Sequence, residues 1–146
     1  MKELSRHVPV NELRQYCDPF KSPVWRGLSE PLKHDEIERC VRKGEFLDPT
    51  EEGDFEINIM DPFDEPVARQ EHLERVAWFV EHPIKDPIVV DVGLKQGPPS
   101  HWMIQDGNHR WAAALHKGHQ EIEVSFGGAL KNIKLLFPSI TDEDLT

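Results

Sequence analysis

Apolar residues recur along this chain with two periods, and the switches between them mark the predicted elements. From Pro66 to Glu81, Leu73, Val76, Ala77 and Val80 repeat at three and four with Glu71, Glu74 and Arg75 opposite, the spacing of a helix with one buried face. Pro83 stops it, because proline has no N–H to donate and clashes with the preceding turn. Ile88-Val89-Val90-Asp91-Val92 reads as a strand, Gly93 to Ser100 as a Gly/Pro loop, and Trp102-Met103-Ile104 as a second strand, so these two form a hairpin with a long loop. Asp106-Gly107-Asn108 ends that strand and opens a helix through Ala112, Ala113, Ala114 and Leu115, stopped by Gly118. Ile122-Glu123-Val124 is a third strand, and Gly127-Gly128 separates it from an apolar helix or turn over Ala129 to Phe137.

Upstream the pattern is weaker. His7-Val8-Pro9-Val10 gives a short extended signal, and Asp18-Pro19 and Ser22-Pro23 punctuate a loop. Asp35 is a candidate cap for a short helix through Ile37, Cys40 and Val41, with Gly44 as its stop. Phe55, Ile57 and Ile59 alternate with Asp54, Glu56 and Asn58, the period of a half-buried strand, while Thr141 to Thr146 reads as a frayed acidic tail. The expectation is a single α+β domain in which a small mixed sheet is flanked by helices. Residues 1–60 form an irregular region packing on the core, residues 61–137 the core itself, and residues 138–146 the tail.

Composition narrows the function. At 146 residues one domain is expected. No apolar run approaches the ~20 residues of a membrane span and the start lacks a signal-peptide core, so a cytoplasmic protein with no membrane partner is expected. Cys17 and Cys40 suit neither a disulfide scaffold nor a four-thiolate zinc site and read as buried or idle thiols. The net charge of −10 argues against nonspecific nucleic-acid binding, which depends on Lys and Arg displacing counterions at phosphates. The acidic excess is unevenly placed, since residues 86–137 hold five acids and five bases. That balanced segment leaves room for a local anion site.

It also carries the chemistry-bearing stretch, Ile104-Gln105-Asp106-Gly107-Asn108-His109-Arg110-Trp111. A strand running through glycine into a helix exposes the first helical N–H groups, which have no partner within the helix and attract anions with the help of the macrodipole. Gly107 permits close approach to the backbone, and Arg110 offers a planar donor fork suited to phosphate oxygens. Lys95 in the hairpin loop is a candidate second cation. The same residues also read as a plain turn with a cap, with Arg110 solvated and His109 hydrogen-bonded in the core.

Asp106-Gly107-Asn108-His109-Arg110, preceded by Asp86-Pro87-Ile88-Val89-Val90 and followed by Gly118, Ile122 and Val124, resembles the signature of the ParB/sulfiredoxin superfamily. The likeness covers about residues 67 to 126, with Val8-Pro9-Val10-Asn11-Glu12-Leu13 as a shorter match to the family's opening segment. It implies a ParB/sulfiredoxin-like fold and a nucleotide-phosphate pocket at the turn. Sulfiredoxins carry a nucleophilic cysteine where this chain has Asn108, so that activity is not expected. Partition ParB proteins bind CTP through a Gly-x-x-Arg-x-x-Ala turn matched by Gly107, Arg110 and Ala113, but add a helical DNA-binding region for which about twenty residues after the last family strand leave no room.

The motif is most similar to that of the family's free serine kinases. Their pattern implies that Asp106 orients a small hydroxyl-bearing substrate, that Gly107, Asn108, His109 and Arg110 hold phosphates, and that Glu12 is the base. The expected ligand is a nucleotide, ATP, ADP or CTP, with Mg²⁺, and the expected chemistry phosphotransfer or nucleotide hydrolysis, which asks mainly for positioning and charge neutralisation. The alternatives are a ParB-like DNA-binding or nuclease accessory protein and a noncatalytic interaction module on the same fold. No metal site is expected from His109, His116 and His119, because His109 and His116 are two helical turns apart. Trp25 is a candidate pocket cover or core staple, and Glu51-Glu52-Gly53-Asp54 reads as a solvated loop.

Overall fold

A computed structural model describes residues 4–48, 64–99 and 101–145. Along the chain come β1 (Leu4–Pro9), α1 (Val10–Arg14), α2 (His34–Lys43), α3 (Glu65–Glu81), β2 (Ile88–Asp91), β3 (Ile104–Asp106), α4 (Asn108–His116), β4 (Glu121–Gly127) and α5 (Leu130–Leu136), then a 3-10 turn at Glu143–Leu145. The strand expected over Phe55 to Ile59 and the acidic run before it lie outside the described residues.

The four strands make one mixed sheet in the order β1-β4-β2-β3. β4 pairs antiparallel with β1, Val8 facing Ile122, and parallel with β2, Ile88 facing Val124. β3 closes the far edge antiparallel to β2, making the expected hairpin. The second strand of that hairpin falls two residues later than the sequence pattern suggested, because the Trp102 side chain is drawn away to Asn108.

Two apolar clusters share α4 as their wall. Trp111 and Ala114 face the sheet cluster with Val8, Leu13, Ile88, Val124 and Phe137. Ala112 and Ala113 face Ile37, Cys40, Leu73, Val76 and Ala77 of α2 and α3. The short alanine side chains let helices pack on both sides of α4, and Trp111, fully buried, satisfies its indole N–H on the Cys17 carbonyl at 2.7 Å. Cys17 and Cys40 are buried free thiols. The result is a single small α+β domain.

The segment expected to be irregular is more ordered than its sequence suggested. β1 forms an edge of the sheet, and α2 with the loop before it makes the outer wall of the second cluster. α2 also starts differently: Lys33 is the cap position, and Glu36 reaches back to accept the Lys33 N–H at 3.0 Å, so Asp35 is not the cap. α3 begins as its sequence predicts, with the Asp64 carboxylate accepting the Val67 N–H at 3.2 Å and Pro66 in the first turn. The acidic tail is tied down rather than frayed, since Arg6 donates to the Asp144 carbonyl at 2.8 Å and the Asp144 carboxylate accepts the Thr141 N–H at 2.7 Å. Among the described residues no helix is long and apolar enough to cross a membrane.

Candidate functional site

β3 passes through Gly107 into α4, and the turn works because Gly107 adopts φ +97°. A side chain would be strained there, and a β-carbon on Gly107 would fall 2.6 Å from Arg110 Nη2 and 3.0 Å from Ile88 Cδ1. The glycine therefore lets the guanidinium lie directly beneath the turn. Arg110 is only 12% exposed, with Nη1 3.5 Å from Asp86 Oδ2 and Nη2 3.6 Å from Asp106 Oδ2. Nη2 also donates to the Pro87 carbonyl at 3.3 Å, while the buried Nε has no hydrogen-bond partner among the described residues. Both carboxylates are exposed, so they hold the guanidinium loosely from the solvent side.

This turn forms one wall of a cleft of about 530 Å³, lined on the same side by Asp106, Gly107, His109 and Arg110. The opposite wall comes from the second half of α3 and the segment after it, with Arg75, Trp78, Phe79, His82, Lys85 and Asp86. That wall is aromatic and rigid. His82 lies flat on Trp78, ring centroids 3.8 Å apart, and its Nδ1–H donates to the Trp78 carbonyl at 2.7 Å. Three cationic side chains, an apolar wall and an exposed helix start thus converge on a volume suited to a small ligand.

Beneath the turn lies a second layer of histidines. His109 Nε2 and His72 Nδ1 are 2.9 Å apart, and Trp25 lies over both rings, 4.7 Å from each and nearly parallel. Trp25 is therefore a staple over the pair. Burial, helped by the Arg75 guanidinium, pushes His72 down to about 4. Burial pushes His109 down further, helped by His72, Arg75 and Arg110, so both rings are neutral at pH 7.

No protein-family model, curated protein or solved structure matches this chain. The site is consequently read from its own geometry.

Of the residues picked out in the sequence, Asp106, Gly107, His109 and Arg110 meet at the cleft. Asn108 does not turn its side chain there, since its Oδ1 accepts the Trp102 indole N–H at 2.8 Å. Glu12 lies elsewhere: its Oε1 accepts the Ser139 N–H at 2.8 Å, joining α1 to the C-terminal segment. Lys95 is exposed in the hairpin loop, contributing its carbonyl to Asn132 Nδ2 at 2.6 Å, and does not line the cleft. The carboxylates beside Arg110 are Asp86 and Asp106, so Asp86 takes a place the sequence gave only to the strand signature.

Sequence reasoning also missed His72, Trp78, Phe79, His82 and Lys85. His72 had one available signal, a polar ring next to Leu73 on the buried side of a helix, where a buried polar group demands a partner. His116 goes to the other end of α4, where its Nδ1 is 2.8 Å from His34 Nδ1 and its Nε2 meets Glu38. Among the described residues no three His, Cys, Asp or Glu side chains gather as a metal site.

Proposed function

We propose that the cleft binds a nucleotide on a ParB/sulfiredoxin-like domain, with phosphates at the Gly107–Arg110 turn and the base against the Trp78, Phe79 and His82 wall. One observation carries the reading: a largely buried guanidinium, its Nε without a partner among the described residues, lies beneath a glycine turn at a helix start. An arginine fork held by exposed carboxylates, next to helical N–H groups, can exchange those carboxylates for phosphate oxygens with little rearrangement. The aromatic wall supplies the apolar surface a base needs, and Arg75 and Lys85 add positive charge on the facing side.

The chemistry that suits such a cleft is transfer of a phosphoryl group to a hydroxyl or to water, which needs positioning and charge neutralisation more than covalent machinery. Asp86 and Asp106 are the oxygen donors available to a Mg²⁺ that accompanies the nucleotide, and Asp106 is the carboxylate nearest the turn for orienting an acceptor hydroxyl. Glu12, engaged with Ser139, has no part in this reading.

Thermal melting with ATP, ADP and CTP in the presence of Mg²⁺ tests it. A nucleotide present at about a hundred times its Kd stabilises the fold by about 2.7 kcal/mol. The expected result is such a rise for at least one nucleotide in the wild type and its loss in Arg110→Ala. A wild type that no nucleotide stabilises, or a rise that survives Arg110→Ala, overturns the reading.

A further inference from the structure

His109 is the one residue of the turn whose ring orientation is set from behind. Its Nε2 is committed to His72 Nδ1 at 2.9 Å, and Trp25 covers both rings. His72 is only 6% exposed, fixed on the buried side of α3 between the two helices. Two neutral imidazoles joined in this way share a single N–H across the contact. When His72 Nδ1 is the donor, His109 Nε2 is the acceptor and the His109 proton must sit on Nδ1. His109 then offers an N–H from the first turn of α4, in the cleft it lines with Arg110. The opposite arrangement leaves a lone pair on His109 Nδ1, which repels an anion. A bound phosphate therefore selects the first tautomer, and His72 is what makes that tautomer available.

We propose that His72 and Trp25 are positioning residues of the anion site, holding His109 in the plane and tautomer that present its Nδ1–H to a phosphate. The inference rests on the nucleotide reading and extends it to two residues that do not touch the ligand. The geometry makes a clear distinction between positioning and packing. If His72 only fills space, an apolar side chain should replace it best. If it holds the His109 tautomer, a hydrogen-bond donor at the place of Nδ1 should replace it best, and the side-chain amide of asparagine supplies one.

The test compares the wild type, His72→Asn and His72→Leu in the full chain, using MgATP and MgCTP as probes in titration calorimetry. A hydrogen bond to a charged ligand group is worth about 1.5 kcal/mol or more, so Leu should weaken binding about tenfold, while Asn stays within about threefold of the wild type. Nitrogen-15 spectra of labelled histidine should show the His109 proton on Nδ1 in the liganded wild type and in the Asn variant, and not in the Leu variant. Leu binding as well as Asn, or better, overturns the inference, as does a liganded wild type with the proton on Nε2. A wild type that binds neither probe overturns the nucleotide reading itself, whereas binding that ignores position 72 overturns only the role of His72.

Discussion

α4 carries a histidine pair at each end, and the two pairs look alike until their surroundings are compared. At the N-terminal end His109 meets His72 at 2.9 Å; at the C-terminal end His116 meets His34 at 2.8 Å. Each end is also flanked by a glycine of positive φ, Gly107 at +97° and Gly118 at +77°. The N-terminal pair is roofed by Trp25 and has Arg75 and Arg110 as its charged neighbours, so every influence on it disfavours a proton. The C-terminal pair is edged by solvent: His34 is exposed and stacked on Phe20, and Glu38 meets the far nitrogen of His116. The same contact distance thus serves two purposes. Burial and the sign of nearby charge decide which pair belongs to the core.

Acid should separate the two ends most strongly. His72 titrates near 4 in the fold and near 6.5 in the unfolded chain, so between these values the unfolded chain binds more protons. The contribution is complete above about pH 6.5, falls as the pH drops, and levels off below about 4. The gap corresponds to a loss on the order of 3 kcal/mol, with His109 adding to it in the same direction. Urea unfolding from pH 7.5 down to 4.5 measures this loss, and His72→Leu should flatten the curve substantially while His34→Gln should not. A His34→Gln variant that flattens it as much would remove the contrast between the two ends.

The flanking glycines give a matched second comparison. Alanine at either position is strained by its positive φ, at about 1 kcal/mol each. At Gly118 nothing lies within 4 Å of the added carbon, so the strain is the whole effect. At Gly107 the carbon meets the Arg110 guanidinium, whose flexible end moves aside, so the excess cost in stability is small and the excess cost in binding is large. Gly107→Ala and Gly118→Ala should therefore melt within a few degrees of each other, with only Gly107→Ala losing the response to nucleotide. Equal nucleotide responses in the two variants would show that the position of Arg110 beneath the turn is unimportant.

What could be read from the sequence follows the reach of the interactions. α3, α4 and the β2 strand are set by local periods and by Pro83 and Gly118, and they appear close to their expected bounds. The turn residues Asp106, Gly107, His109 and Arg110 are neighbours in sequence and meet at one cleft. The rest depends on partners far along the chain. β1 is a sheet edge only because β4 lies opposite it, and Glu12 is spent on a backbone N–H of Ser139, 127 residues away. His72 is 37 residues from His109, and no local spacing marks the pair. Asn108 illustrates the opposite failure, a motif residue whose side chain is taken by Trp102 six positions earlier.

The smallest expected effect comes from the exposed end. Glu38 is 54% exposed, so its contact with His116 is made largely in water, where an ion pair gains little over solvation and is screened by salt. Glu38→Gln keeps the length and an acceptor oxygen, so the His116 Nε2–H retains a partner. The loss should be about 0.5 kcal/mol or less at pH 7, shrinking as ionic strength rises from about 0.05 M to about 0.5 M. Unfolding in urea at the two ionic strengths measures it, with nucleotide response as a second readout that should not change. A loss above about 1 kcal/mol that ignores salt would mean that Glu38 anchors α2 to α4 as a buried group does, and the two ends of the helix would then differ in charge alone.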